Sequence, residues 1–170
     1  MNTRDLTGTL TTLLGELVDG TPASGAYILN RGDAGLLRSL DNLTAKDASE
    51  GIAGGATIAA HVDHLRYGLS LMNRWSAGEN PFADADWAAS WRISEVTDGR
   101  WRELRSQVAA EAHRWHAALA SPRDVGPEEL AGVVGSIAHL AYHLGAIRQI
   151  NRGARGPREQ DLAAKPADRF

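Results

Sequence analysis

From Ala131 to Ile147 the chain contains no aspartate, glutamate, lysine or arginine, and this stretch restricts the possible folds more than any other. Pro127 ahead of it suits the first turn of a helix, and Glu128 and Glu129 stand where the helix dipole favours negative charge. The helix is expected to run to about Asn151. A helix without a charged face over that length is expected to be surrounded by protein on most sides, so it should be the buried helix of the fold. Leu130, Val133, Val134, Ile137, Leu140, Ala141 and Leu144 share one broad side. Gly132, Gly135, Ser136, His139, His143 and Ala146 share the other.

Other helices must supply the surroundings. Leu6, Leu10, Leu13, Leu14 and Leu17 recur at helical spacing and predict an amphipathic first helix that ends at Gly20-Thr21-Pro22. After a loop through Asn30-Arg31-Gly32, Asp33 is placed to cap a short helix with Leu36, Leu37, Leu40 and Leu43 on one face, broken by the Gly51–Gly55 stretch. Thr57 reads as the N-cap of a long helix to about Ala77, whose apolar stripe is Ile58, Val62, Leu65, Leu69 and Met72. This helix carries His61 and His64. The segment 78–98 lacks periodicity and reads as a long connection over one end of the fold, its Trp87 and Trp91 packing rather than binding. Trp101, Leu104, Val108, Ala112, Trp115 and Leu119 predict a further helix over about 97–120, closed by Pro122 and Gly126. Ala26-Tyr27-Ile28-Leu29 alternates for too few residues to support a sheet. The expected architecture is all-α, an up-and-down four-helix bundle over residues 1–153, with a polar tail over 154–170 that is disordered or loosely docked.

Composition removes several classes of function. The chain has 170 residues, a net charge of -3 and no cysteine. That length suits one domain with a real core. The charge disfavours a phosphate-tracking surface, so nucleic acid is not an expected partner. Without cysteine there is no disulfide, thiolate ligand or thiol nucleophile, and any metal must use nitrogen or oxygen donors. The N-terminal MNTRDLTGTL lacks the pattern of a secretory signal, and no stretch reads as the ~20 apolar residues of a membrane span. A cytoplasmic location and no membrane partner are therefore expected. No GxxxxGK[ST], GxGxxG or GxSxG motif occurs in its required context.

His139 and His143 are four apart, about 40° around one helical face, close enough for both rings to reach one ion. Small neighbours leave space beside them. Both are equally open to a core role, hydrogen-bonded to backbone or to Tyr67 or Asp63. Two neutral imidazoles in a dry site must each find partners, however, and one metal ion would serve both. A third donor must come from His61-Val62-Asp63-His64. On an ideal helix His61 lies about 60° from the centre of the apolar stripe and His64 about 120°, so angle alone slightly favours His61. Asp63 and Tyr67 are placed to orient an imidazole or move a proton, and Asp63 suits a solvated position equally well. Arg148 and Arg152 are expected to complement the dipole of the last helix, the alternative being contact with an anionic substrate. His113 and His116 flank Trp115 on a solvated face and are not assigned to the metal.

Gly55-Ala56-Thr57-Ile58 seven residues ahead of His64-Leu65, then Asp86-Trp87, then His139-Leu140-Ala141-Tyr142-His143-Leu144-Gly145 resemble the DinB/YfiT-like superfamily of four-helix metal proteins, over roughly residues 33–150. The resemblance implies His64, His139 and His143 as ligands of a divalent ion, zinc or nickel first, manganese or iron otherwise. It leaves His61 to support or gate the site. Ala146 departs from the Gln or Glu common in the family at that point. The resemblance further implies a small-molecule substrate, hydrolysis or transfer to a low-molecular-weight thiol as co-substrate, and a homodimer. The alternative from another class is a non-catalytic binding or stress-response module.

Overall fold

Among the described residues three threonines cap helices. In the computed structural model, which describes residues 3–121 and 125–158, Thr44, Thr57 and Thr97 all have extended backbone, and each side chain accepts the N–H of the residue three further on. The helices so opened are α3 (Ala45–Ala48), α4 (Ile58–Ser76) and α5 (Asp98–Ala120). They join α1 (Thr3–Asp19), α2 (Gly35–Asp41) and α6 (Pro127–Ile150), and no strand occurs among the described residues. Pro127 and the Glu129 carboxylate, which accepts the Gly126 N–H at 2.8 Å, open α6.

The apolar stripes meet as their periodicity requires. Leu14, Leu17 and Val18 of α1, Leu65 of α4, Leu104 and Trp115 of α5 and Leu140, Leu144 and Ile147 of α6 are all sealed in one core. Complete burial of one such side chain contributes roughly 1.5–3 kcal/mol. α4 packs against both α5 and α6, and α1 packs against α2, α5 and α6. Two indole N–H groups join elements: Trp101 donates to the Leu43 carbonyl and Trp115 to the Ser136 hydroxyl.

Three expectations require correction. First, α6 is not enclosed on most sides. Val134 is 48% exposed and Tyr142 70%, and Ala131, Gly135, Ala138 and Gly145 are exposed beside them. The lack of charge therefore marks an uncovered apolar face. By length and composition α6 is also apolar enough to cross a membrane, contrary to the reading that no stretch is, with 33% of its apolar window buried. Second, Asp33 does not cap α2 from the N-cap position, which Ala34 occupies. It accepts the Gly35 N–H and takes both Arg148 guanidinium nitrogens, at 2.7 and 2.8 Å. Arg148, in the last turn of α6, is thus also tied to a buried carboxylate. Third, the short helix stops at Asp41, before Leu43, and a second one, Ala45–Ala48, follows because Thr44 and Asp47 form a capping box that restarts the chain.

The chain just beyond 153 lies against the fold. Ala154 is sealed in the core and accepts a hydrogen bond from Arg148, and Pro157 accepts one from Asn30. The expected break at Pro122 and the tail residues 159–170 lie outside the described residues. A further device closes the loop after α1: the buried Glu16 carboxylate accepts the N–H groups of Tyr27, Ile28 and Leu29. Gly20 and Gly35, both with positive φ, let this loop cross α2 where a Cβ on either would strike the other's backbone surroundings.

Candidate metal centre

α4 and α6 lie side by side, and each turns two histidines toward the other. The connection 78–98 covers them with the 3-10 turn Ala89–Trp91. His64 and His143 are 6% and 2% exposed. One ring nitrogen from each of His64, His139 and His143 lies within 4.8 Å of the others. The Nε2 atoms of His64 and His139 are 3.1 Å apart, and those of His143 and His139 are 2.9 Å apart.

The far side of each ring decides what the near side presents. A neutral imidazole has one N–H and one lone pair. Ser90 donates its hydroxyl proton to the Trp87 carbonyl at 2.7 Å, so toward His64 it accepts, and the 2.7 Å contact is His64 Nδ1–H donating to Ser90. The lone pair of His64 is then on Nε2, facing the cluster. His143 Nδ1 lies 2.8 Å from His61 Nδ1. The matching tautomer donates from His143 Nδ1 to His61 and puts a second lone pair on Nε2. His139 Nε2 sits between these two lone pairs with at most one proton to give.

One of the two contacts therefore opposes lone pair to lone pair, and a cation at that point satisfies all three nitrogens at once. The two Nε2 separations of 3.1 and 2.9 Å lie within the reach of donors that would each stand about 2.0–2.1 Å from one ion. The residues present fit a divalent ion with three imidazole donors. Burial lowers the basicity of all four rings. For His64 the pKa falls to about 4, through burial first and then the neighbouring His139 and His61, with Asp63 opposing. For His143 it falls to about 3, through burial and then His139, His61 and His64. At neutral pH the cluster is uncharged and keeps its lone pairs free.

The structure thus brings together the three residues expected as ligands, and His61 with them. His61 reaches the Nδ1 of His143, so it supports that ring while His64 faces His139. Asp63 is buried and pairs with Arg66 at 2.7 Å, and the Tyr67 hydroxyl accepts the Asp86 N–H. The expected orienting role falls to Ser90 instead. His113 pairs with Asp19 on the surface and His116 lies against Gly15 of α1, both away from the cluster. Sequence reasoning missed Ser90 and the part played by the tryptophans. Trp91 stacks on His64 with centroids 4.2 Å apart, and Trp87 approaches the same ring at 5.6 Å. Ser90-Trp91 sits in an aperiodic segment, so no spacing marked it.

Comparison of the chain with protein-family models, with curated proteins and with solved structures gives no match.

Proposed function

We propose that this chain is a divalent-metal-dependent enzyme of the DinB/YfiT-like kind, acting on a small molecule by hydrolysis or by transfer to a low-molecular-weight thiol. In this reading α1, α4, α5 and α6 form an up-and-down four-helix bundle, and His64, His139 and His143 hold the ion. The observation that carries it is the convergence of three Nε2 atoms, with the opposite ring edges of His64 and His143 held by Ser90 and His61. Zinc or nickel suits three neutral imidazoles best, with manganese or iron(II) next. An ion held without carboxylate or thiolate keeps its full charge and supplies Lewis acidity. The chain's own contribution is to fix two imidazole tautomers, to cover His64 with Trp91 and to keep the rings neutral at working pH.

The test is titration of tag-free protein with zinc and nickel. One equivalent is expected to bind, and the variant His64→Ala/His139→Ala/His143→Ala is expected to lose that binding while keeping its helical circular dichroism. Binding that survives the triple substitution overturns the reading. Turnover of small thiols, amides or esters that stops with chelator identifies an enzyme. A specific observation favours the second reading, a non-catalytic metal-binding module: Asp63 and Tyr67, the nearby candidates for proton transfer, are both engaged elsewhere. Stoichiometric binding without turnover across the screen selects it.

The uncovered apolar side of α6, with Val134 and Tyr142 exposed on a stretch without charge, supports pairing with a second copy in the cytoplasm. A two-fold contact needs only one self-complementary patch, and an apolar patch of helix length is unusual on a monomer.

A further inference from the structure

Next to the histidine cluster, between α4, α6 and the connection, is a cavity of about 350 Å³ that includes His139 in its wall. Leu69, Met72, Phe82, Trp87 and Leu140 form much of the rest. No charged side chain lines it. Its one hydroxyl is already committed, since Ser136 donates to the Val133 carbonyl and accepts from Trp115. Gly132 and Gly135 border it with nothing within 4 Å of where a Cβ would stand. His139 belongs to both spaces. Its Nε2 meets His64 and His143, while its Cε1 and Nδ1 edge lies near Gly68 and Trp87 on the cavity side.

We propose that this cavity binds an uncharged hydrocarbon or aromatic portion of the substrate, so that the reactive group at the other end is presented to the histidine cluster. The inference rests on reading that cluster as a metal centre. The volume is at the lower end of small-molecule pockets. A charged tail would find no counter-charge there, and a strongly polar one would have only the Nδ1 edge of His139 to replace its hydration. An alkyl or aryl group loses nothing and gains by burial, about fourfold in affinity per methylene.

The chain has two methionines, Met1 and Met72, and Met72 lines the cavity. Metal-free protein labelled at the methionine methyl carbons is titrated with 1-butanol, 1-hexanol and 1-octanol. The Met72 resonance is expected to shift saturably, the dissociation constant falling about fourfold per methylene, with Met1 as the internal reference. Gly135→Leu and Gly132→Leu put a side chain into the open space, favour the helix, and are each expected to weaken 1-hexanol about tenfold or more. A Met72 signal unmoved by every alcohol overturns the proposal, as does unchanged hexanol affinity in both folded variants.

A second arm links the cavity to the reacting end. Protein loaded with cobalt(II) is titrated with ethanethiol, 1-butanethiol and 1-hexanethiol, followed by sulfur-to-cobalt absorption. Affinity is expected to rise by the same factor per methylene and to flatten in Gly135→Leu. A flat series on the wild-type chain with cobalt bound overturns the proposal. If cobalt fails to bind at all, the metal-centre reading falls, and the Met72 titration still decides the cavity.

Discussion

At the scale of single residues, the site depends on which nitrogen of each ring carries the proton. Ser90→Ala removes the acceptor for His64 Nδ1–H, and His61→Ala removes the partner of His143 Nδ1. Each is expected to weaken zinc binding about 10–100-fold, measured by competition with a chromophoric chelator, whereas His64→Ala should abolish stoichiometric binding. Equal loss in His61→Ala and His64→Ala would make His61 a ligand. Acid should also unfold the metal-free protein early. The folded pKa values lie below the ordinary histidine value, at about 4 for His64 and about 3 for His143. Below about pH 6.5 the unfolded chain therefore takes up protons that the folded chain refuses. The stability from these neutral rings is complete above pH 6.5 and is lost progressively as pH falls toward 3–4. Melting temperature in metal-free buffer is expected to fall over that window, and a variant with all four cluster histidines replaced by glutamine should fall less. His139 and His143 were legible as a pair because four residues is one helical turn. Whether His61 or His64 faced the pair was not, since 60° against 120° from the stripe lies within the freedom of a long side chain.

At the scale of elements, α6 is held at its far end by an ion pair. Asp33 and Arg148 are 3% and 14% exposed as side chains, and the pair ties α6 to the chain before α2 and to the docked residues after α6. Removing one partner of a buried pair leaves the other charge without compensation. Asp33→Ala is therefore expected to cost about 3–5 kcal/mol in urea unfolding. Exchange of both residues for apolar ones of similar size, Asp33→Leu with Arg148→Met, should recover much of that loss. Helix starts were legible at Thr57, Thr97 and Pro127, where a threonine or proline held the N-cap or first turn ahead of a long apolar period. The Asp33–Arg148 pair was not legible, because it joins residues 115 apart in sequence and no local pattern records such a meeting. The Thr44 restart was missed for a different reason: Leu43 continued the spacing of Leu36, Leu37 and Leu40 although the helix had already ended at Asp41.

At the scale of the whole molecule, absence of charge along α6 has two different causes on its two sides. One side faces the core and the histidines, and the other is bare. A sequence cannot separate a buried apolar face from an exposed one that awaits a partner, because both carry the same residue types. Val134→Glu with Ala138→Glu is expected to convert a dimer to a monomer in sedimentation equilibrium, with the helical content kept. A monomeric wild-type chain at high micromolar concentration would sink the pairing. The molecule has five tryptophans, and their distribution has a practical consequence. Trp101 and Trp115 are sealed in the core, whereas Trp91 lies flat against His64. An open-shell ion on that imidazole would stand close enough to drain the indole's excited state, and a closed-shell ion would not. Nickel should therefore dim the native emission in step with occupancy while zinc leaves most of it, so the chain carries its own optical gauge.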